Sequence, residues 1–242
     1  MSARAPSMSA KTRKDTSAHP LTDKGSDRRQ RILDAARRRF AASGFEATTV
    51  RQIADDVELL AGSLYYHFAN KEEMLLEAVR DAVQRLHEGA EAIQRTDADP
   101  ETKLVALIFF DVEELTENRD VHAILHHERA YFRGNPEFAP VVKPRREHYL
   151  VWRALIEQGM AEGYFSKDIN VFLTLSTMIR MLNTGADWYL HDDPATIDAA
   201  GILSRDELSA FYVNYVLRVV RTPERITAPI PWPDSYGGAA GD

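Results

Sequence analysis

Apolar residues return at helical spacing along almost the whole chain, and nowhere do they alternate as a half-buried strand requires. In the run DRRQRILDAARRRFAASGF, starting at Asp27, Ile32, Ala36 and Phe40 stand at i,i+4 steps with Leu33 beside them, which predicts a first helix. Gly44 before Phe45 supplies its ending, because glycine adopts the left-handed conformation without a Cβ clash. Thr49 and Gln52 have capping-box spacing, so a second helix starts there. Its stripe of Val50, Ile53, Ala54 and Val57 covers about two turns, too short to be stable alone. A third helix, Ala61 to Phe68, turns Leu64 and Phe68 inward and leaves Ser63, Tyr66 and His67 free to meet a partner. Asn70 with Glu73 then caps a long fourth helix, from Lys71 to about Ile93, striped by Leu75, Val79, Val83 and Leu86.

Five more helices are predicted. Turn chemistry between Asp97 and Pro100 precedes a fifth, Glu101 to Glu117, with a wide apolar face through Leu104, Leu107, Ile108 and Val112. The sixth runs from Asp120 to Phe132 and is stopped by Gly134, Asn135 and Pro136. A seventh starts between Pro140 and Arg145 and ends near Gly163, and an eighth runs from an Asn170 cap to Tyr189. Ser204 with Glu207 opens the ninth, Arg205 to Arg221. The expected architecture is therefore all-α, about nine helices, with a small three-helix unit over residues 26–70 and a larger body over residues 71–221. Residues 1–25 lack periodicity and read as a disordered arm, and the four prolines and closing glycines of 222–242 predict an extended tail.

Composition narrows the function classes. The chain has no cysteine, which excludes disulfides and thiolate zinc sites, and no apolar run of about 18 residues, so a cytoplasmic protein without a membrane segment is expected. Its net charge of −7 conceals a polarity: residues 1–40 hold eleven Lys or Arg against four Asp or Glu, leaving −14 on the remainder. A basic arm ahead of a three-helix unit suits DNA phosphates, while an acidic body is held off them. Lys71 lies in the first turn of a helix, where the positive helix end disfavours a cation, which predicts a nearby anion.

The stretch Gly62-Ser63-Leu64-Tyr65-Tyr66-His67-Phe68-Ala69-Asn70-Lys71, preceded by Thr48-Thr49-Val50-Arg51-Gln52-Ile53-Ala54, resembles the helix-turn-helix of TetR-family transcriptional repressors. The resemblance implies a repressor that binds palindromic double-stranded DNA as a homodimer. It places Thr49, Arg51, Gly62, Ser63, Tyr65, Tyr66, His67 and Lys71 at the DNA, where hydroxyls and helix ends meet phosphates and Arg51 reaches a base edge or a phosphate. Two positions depart from the pattern. Glu58 stands where the turn usually has glycine, so it must accept a left-handed conformation or shift the turn, and Leu60 stands where a serine or threonine usually caps the recognition helix. The eighth and ninth helices are apolar on more than one face, and the family resemblance assigns the surplus to an intermolecular four-helix bundle.

Further runs, Leu59-Leu60-Ala61-Gly62, Ile156 to Phe165 and Ile179-Arg180 with Trp188-Tyr189, resemble the TetR-type repressors of sterol catabolism that answer acyl-CoA thioesters. That resemblance implies a small-molecule effector, an acyl-CoA or another bulky lipophilic acid, in a pocket among the fourth to eighth helices. Phe110, Tyr131, Trp152 and Trp188 are candidate walls, and Arg145 and Arg180 candidate cations. His122 and His126 have i,i+4 spacing, but no third ligand follows at a familiar distance, so neither a metal nor a cofactor is expected. No nucleophile motif or phosphate-cradling glycine loop points to an enzyme. The competing reading is an all-α interaction protein, or an acyl-CoA-binding enzyme, whose DNA-binding motif has lapsed.

Overall fold

The computed structural model describes residues 21–188 and 204–236, with the side chains of 21–24 and 186–188 outside that description. Ten α-helices lie among these residues, with no strand beyond an isolated bridge between Phe165 and Arg221. Helix α1 spans Leu21–Ser43, so positions 21–25 of the expected arm are helical, while the rest of that arm lies outside the described residues. Helix α2 (Val50–Asp56) starts at the Thr49 capping box, α3 covers Ala61–Leu64, and α4 (Lys71–Gln94) starts where Asn70 accepts from the Glu73 amide at 2.7 Å. Beyond Leu64 the expected third helix continues only as turns that bond back to the Leu64 carbonyl.

In the body, α5 spans Pro100–Glu117. The expected sixth helix is two, α6 (Arg119–His127) and α7 (Arg129–Gly134), divided at Glu128, whose ψ of 14° leaves the helical region. A 3₁₀ turn, Pro136–Phe138, leads into α8 (Ala139–Ala161), which carries Pro144 close to its start. Helices α9 (Val171–Trp188) and α10 (Arg205–Val220) complete the set, and the loop expected between them lies mostly outside the described residues.

The core of the small N-terminal unit is not separate from the body. Ile32, Phe40, Phe45, Ile53, Leu64 and Phe68 form one cluster that runs on through Leu75 and Val79 of α4 to Ile124, Phe132, Phe138 and Val141. A second cluster surrounds α5, where Leu104 and Ile108 meet Trp152, Leu155, Leu175, Tyr212 and Val216. Within it Gly159 is a point of close approach: an added Cβ would lie 2.1 Å from the Phe165 ring. Its carbonyl accepts from the Tyr164 and Phe165 amides, so the ring cannot withdraw without breaking the turn. Gly159→Ala is accordingly expected to destabilise by about 1 to 3 kcal/mol in urea unfolding, and a change below about 0.5 kcal/mol would contradict this packing.

The tail differs from its expectation. Instead of extending away, the chain after α10 turns back through a 3₁₀ segment, Pro223–Arg225. Arg221 and Glu101, with side chains 4% and 3% exposed, pair through two hydrogen bonds of 3.0 and 2.7 Å. The same guanidinium donates to the carbonyls of Ala228 and Pro229, and Trp232 stacks on Tyr236 with Phe109 meeting both rings edge-on. The prolines do prevent a helix, but what holds the strap is a carboxylate 120 positions earlier.

Candidate functional site

Glu58 has φ +57°, so the short connection between α2 and α3 keeps its tight left-handed geometry with a glutamate in place of glycine. Leu60 occupies the N-cap of α3 without any side-chain hydrogen bond and is 81% exposed. Around it Thr49, Arg51, Gly62 and Ser63 are exposed, Tyr65 is 55% exposed and Tyr66 is 89% exposed. His67 is half-buried and meets the Tyr66 ring edge-on. Two aromatic rings left in solvent beside the exposed Ser63 make a face suited to a groove, since burying Leu64 and Phe68 did not require them there.

Lys71 has a different explanation from the one its position invites. Its ammonium donates to the carbonyls of Phe45 (2.8 Å) and Thr48 (2.9 Å) and lies 4.1 Å from the centre of the Phe45 ring. The cation on the α4 start is thus accounted for by carbonyls at the end of α1, with no external anion required. Arg29, at the arm side, is likewise engaged, with both guanidinium nitrogens on Glu77 and its plane over Phe68. The same α1–α2 turn is gripped from the body: the Phe45 amide donates to Glu128 Oε1 at 2.8 Å, and the Tyr131 ring lies 4.9 Å from Phe45.

A cavity of about 820 Å³ opens among α4 to α9. Arg129 and Arg133 of α7, Arg145 and Arg146 of α8 and Arg180 of α9 line it, and among the described residues none of the five pairs with a carboxylate. Burial, then the neighbouring Arg129 and Arg133, push the Arg145 guanidinium down to about 10. Arg129 is also lowered, by burial and then by Arg133 and Arg180. Mutually repelling cations gathered without counter-charge are costly in the free protein and become favourable once an anion joins them.

The inner wall is polar without further arginines. Trp152 Nε1 donates toward Asp111 Oδ2 (3.1 Å) and His148 Nε2 (2.9 Å), which are 3.2 Å apart. Burial raises the Asp111 carboxyl well above its ordinary range and lowers His122 and His148 to about 4, so both imidazoles are neutral near pH 7. Two atoms in this wall, Asp111 Oδ1 and His122 Nε2, are buried without a hydrogen-bond partner. Each such vacancy costs about 1 to 3 kcal/mol. Apolar side chains including Leu86, Leu115, Leu125 and Leu182 cover the rest.

Comparison with known proteins decides the family. Residues 32–78 match the model described as bacterial regulatory proteins, tetR family, and residues 97–220 match the tetracyclin repressor-like C-terminal domain. The chain belongs to the TetR family. The transcriptional repressor KstR2 of Mycobacterium tuberculosis strain H37Rv is 32% identical over 174 residues, covering 72% of this chain and 87% of that protein. KstR2 of Mycolicibacterium smegmatis is 31% identical over 188 residues, 77% and 89% of the two chains. The solved structure of the ketosteroid transcriptional regulator KstR2 of Mycobacterium tuberculosis superposes with a TM-score of 0.72 at 29% identity, covering 81% of this chain and 95% of that one. As a TetR-family member the chain is a helix-turn-helix, DNA-binding regulator of transcription, and these relatives are repressors rather than enzymes.

In this TetR-family body, the structure brings Arg145, Trp152 and Arg180 to one cavity and places Phe110 and Tyr131 elsewhere. Phe110 packs on α4 against Gly89, where a Cβ would come within 2.2 Å of its ring, and Tyr131 lies between Phe45 and Phe138. The Trp188 side chain lies outside the described residues. Arg129 and Arg133 were not anticipated, although their i,i+4 spacing puts them on one helical face. Asp111 and His148 gave no such signal, because they meet only when α5 packs on α8. No group of three or more metal-binding side chains occurs among the described residues, and none of the described helices is long and apolar enough to cross a membrane.

Proposed function

We propose that the protein is a repressor that binds a palindromic operator as a homodimer and is released from it by an acyl-CoA thioester or a similarly bulky anionic lipid. The observation that carries the effector is the group of five arginines, none paired with a carboxylate among the described residues, at a cavity that also has leucine side chains in its lining. Phosphates at the arginines and an acyl group inside match that division. For the homodimer, α9 and α10 leave Phe172, Leu173, Phe211, Tyr215 and Val219 between 41% and 67% exposed, an apolar surface that a four-helix bundle with a second copy would bury. Residues 26–70 serve as the DNA head and 71–221 as the effector and dimerisation body, with no metal or cofactor and no membrane in the scheme.

The route from cavity to DNA is short. Arg129 and Arg133 lie on α7, which begins after Glu128, and Glu128 holds the Phe45 amide at the base of the helix-turn-helix. An anion that draws α7 toward the cavity shifts this anchor, and a preference of about 1 to 3 kcal/mol for the shifted state is enough to regulate.

The test uses an operator selected from random-sequence DNA and followed by fluorescence anisotropy. Acyl-CoA should release the DNA, whereas free CoA should not. Arg129→Ala combined with Arg133→Ala should raise the acyl-CoA concentration needed by about tenfold or more without weakening operator affinity in its absence. Release that is identical in the double variant would remove the arginines from the effector site. Tyr66→Ala should weaken the operator complex by about 1 to 3 kcal/mol per half-site while the dimer persists in sedimentation. Unchanged anisotropy in that variant would place the recognition face elsewhere.

A further inference from the structure

Leu60 starts α3 against the habit of the chain. Side chains cap α2 at Thr49, α4 at Asn70, α5 at Asp99 and α10 at Ser204, each accepting a backbone N–H, whereas a leucine at the N-cap of α3 can accept none. Phe138, which starts α8 equally uncapped, is completely buried. Leu60 is 81% exposed, the most exposed large aliphatic side chain among the described residues, while its neighbour Leu59 packs against the core of the head. Two positions on, Gly62 is exposed and an added Cβ would meet nothing within 4 Å. Packing therefore gives no reason for glycine in a helix, where alanine is favoured. Within three positions the sequence forgoes a cap, buried area and helix propensity, and local rules broken together mark a surface made for something outside the chain.

At this face the outside body is DNA, because α2 and α3 belong to the segment that matches the TetR-family DNA-binding model. An apolar side chain gains nothing at a phosphate. Base edges in the major groove present donors and acceptors with one apolar exception, the C5-methyl group of thymine. Leucine, which has no donor or acceptor, matches only that group. We infer that Leu60 is a specificity-determining residue that reads a thymine methyl in each operator half-site, with the bare Gly62 leaving room for the base edge to approach. This rests on the operator reading above and adds to it the chemistry of one base position. A serine at position 60 would cap α3 and be indifferent to the methyl, so the leucine exchanges helix stability for discrimination.

The experiment takes an operator selected from random-sequence DNA and replaces each thymine singly by deoxyuridine, which lacks only the methyl. Affinity of the full-length protein is read by fluorescence anisotropy at fixed salt. In the wild type one thymine per half-site should stand out, its replacement weakening binding by about fourfold in one half-site and about tenfold in both. Leu60→Ala should bind the thymine and deoxyuridine operators within about 1.5-fold of each other. Leu60→Ser should be equally indifferent while unfolding in urea at an equal or higher midpoint, since serine caps α3. Those two results together separate base readout from support of the helix, which would weaken both operators alike and leave the methyl dependence in place. A methyl dependence that persists in both variants assigns the contact to another side chain and overturns the proposal. A wild type indifferent to every thymine methyl, with variants that lose affinity for both operators equally, places Leu60 against deoxyribose and overturns the readout while the operator reading stands. Failure of the selection to enrich any sequence overturns the proposal together with the operator reading.

Discussion

Glu101→Ala is expected to lower the free energy of unfolding by about 3 to 5 kcal/mol, because it leaves the Arg221 guanidinium buried without its counter-charge. For a chain of this size that corresponds to a fall in midpoint of roughly 6 to 20 °C. The loss should concentrate at the C-terminal strap. Arg221 also holds the carbonyls of Ala228 and Pro229, so an unpaired guanidinium that moves outward takes residues 223–236 with it. Hydrogen exchange of those amides should rise more than that of α1 or α2. Joint replacement, Glu101→Leu with Arg221→Met, should recover most of the lost stability, since neither buried charge then needs a partner. A single variant within about 1 kcal/mol of the wild type would show the pair to be solvated and the strap to be held by its aromatic residues alone.

The same pair shows which kind of information the sequence carried. Local features were legible: the Thr49 and Ser204 capping boxes, the Asn70 cap and the apolar stripes of α4 and α5 depend on neighbours three or four positions apart, which spacing displays directly. The exposed side of the helix-turn-helix was legible for a similar reason, because Leu64 and Phe68 assign the inward side and Tyr66 is left outside. Long-range pairings were not. Lys71 looked like an anion binder because only its position on α4 was visible, whereas the carbonyls that satisfy it arrive from the end of α1. Phe110 and Tyr131 looked like cavity walls because they are aromatic, but which way they face is set by Gly89 in one case and Phe45 in the other. The split at Glu128 was not visible in the helical pattern, nor was its bond to the Phe45 amide, which comes from far along the chain.

Acid should expose the inner wall of the cavity in a way that His122 controls. His122 is held at about 4, first by burial and then by Arg145, His148 and Arg85, against an ordinary value of 6.5. Below 6.5 the unfolded chain takes up a proton that the native protein refuses, so native stability falls as pH drops from 6.5 toward 4 and levels off beneath it. The full contribution of this one side chain is about 3 kcal/mol. His148, lowered to about 4 by burial, His87 and Arg145, acts in the same direction. Asp111, raised chiefly by burial, acts in the opposite one: above 3.8 the unfolded chain loses a proton that the native carboxyl keeps, so its contribution declines as pH rises. Those two share hydrogen bonds and cannot be separated by single substitutions, whereas His122 has no carboxylate among the groups that shift it. His122→Leu should therefore gain about 2 kcal/mol on the wild type when urea unfolding is moved from about pH 7.5 to about pH 5. Parallel stability curves for the two proteins across that interval would mean that His122 is already protonated or already solvated in the native state, and a neutral buried imidazole would no longer describe this side chain.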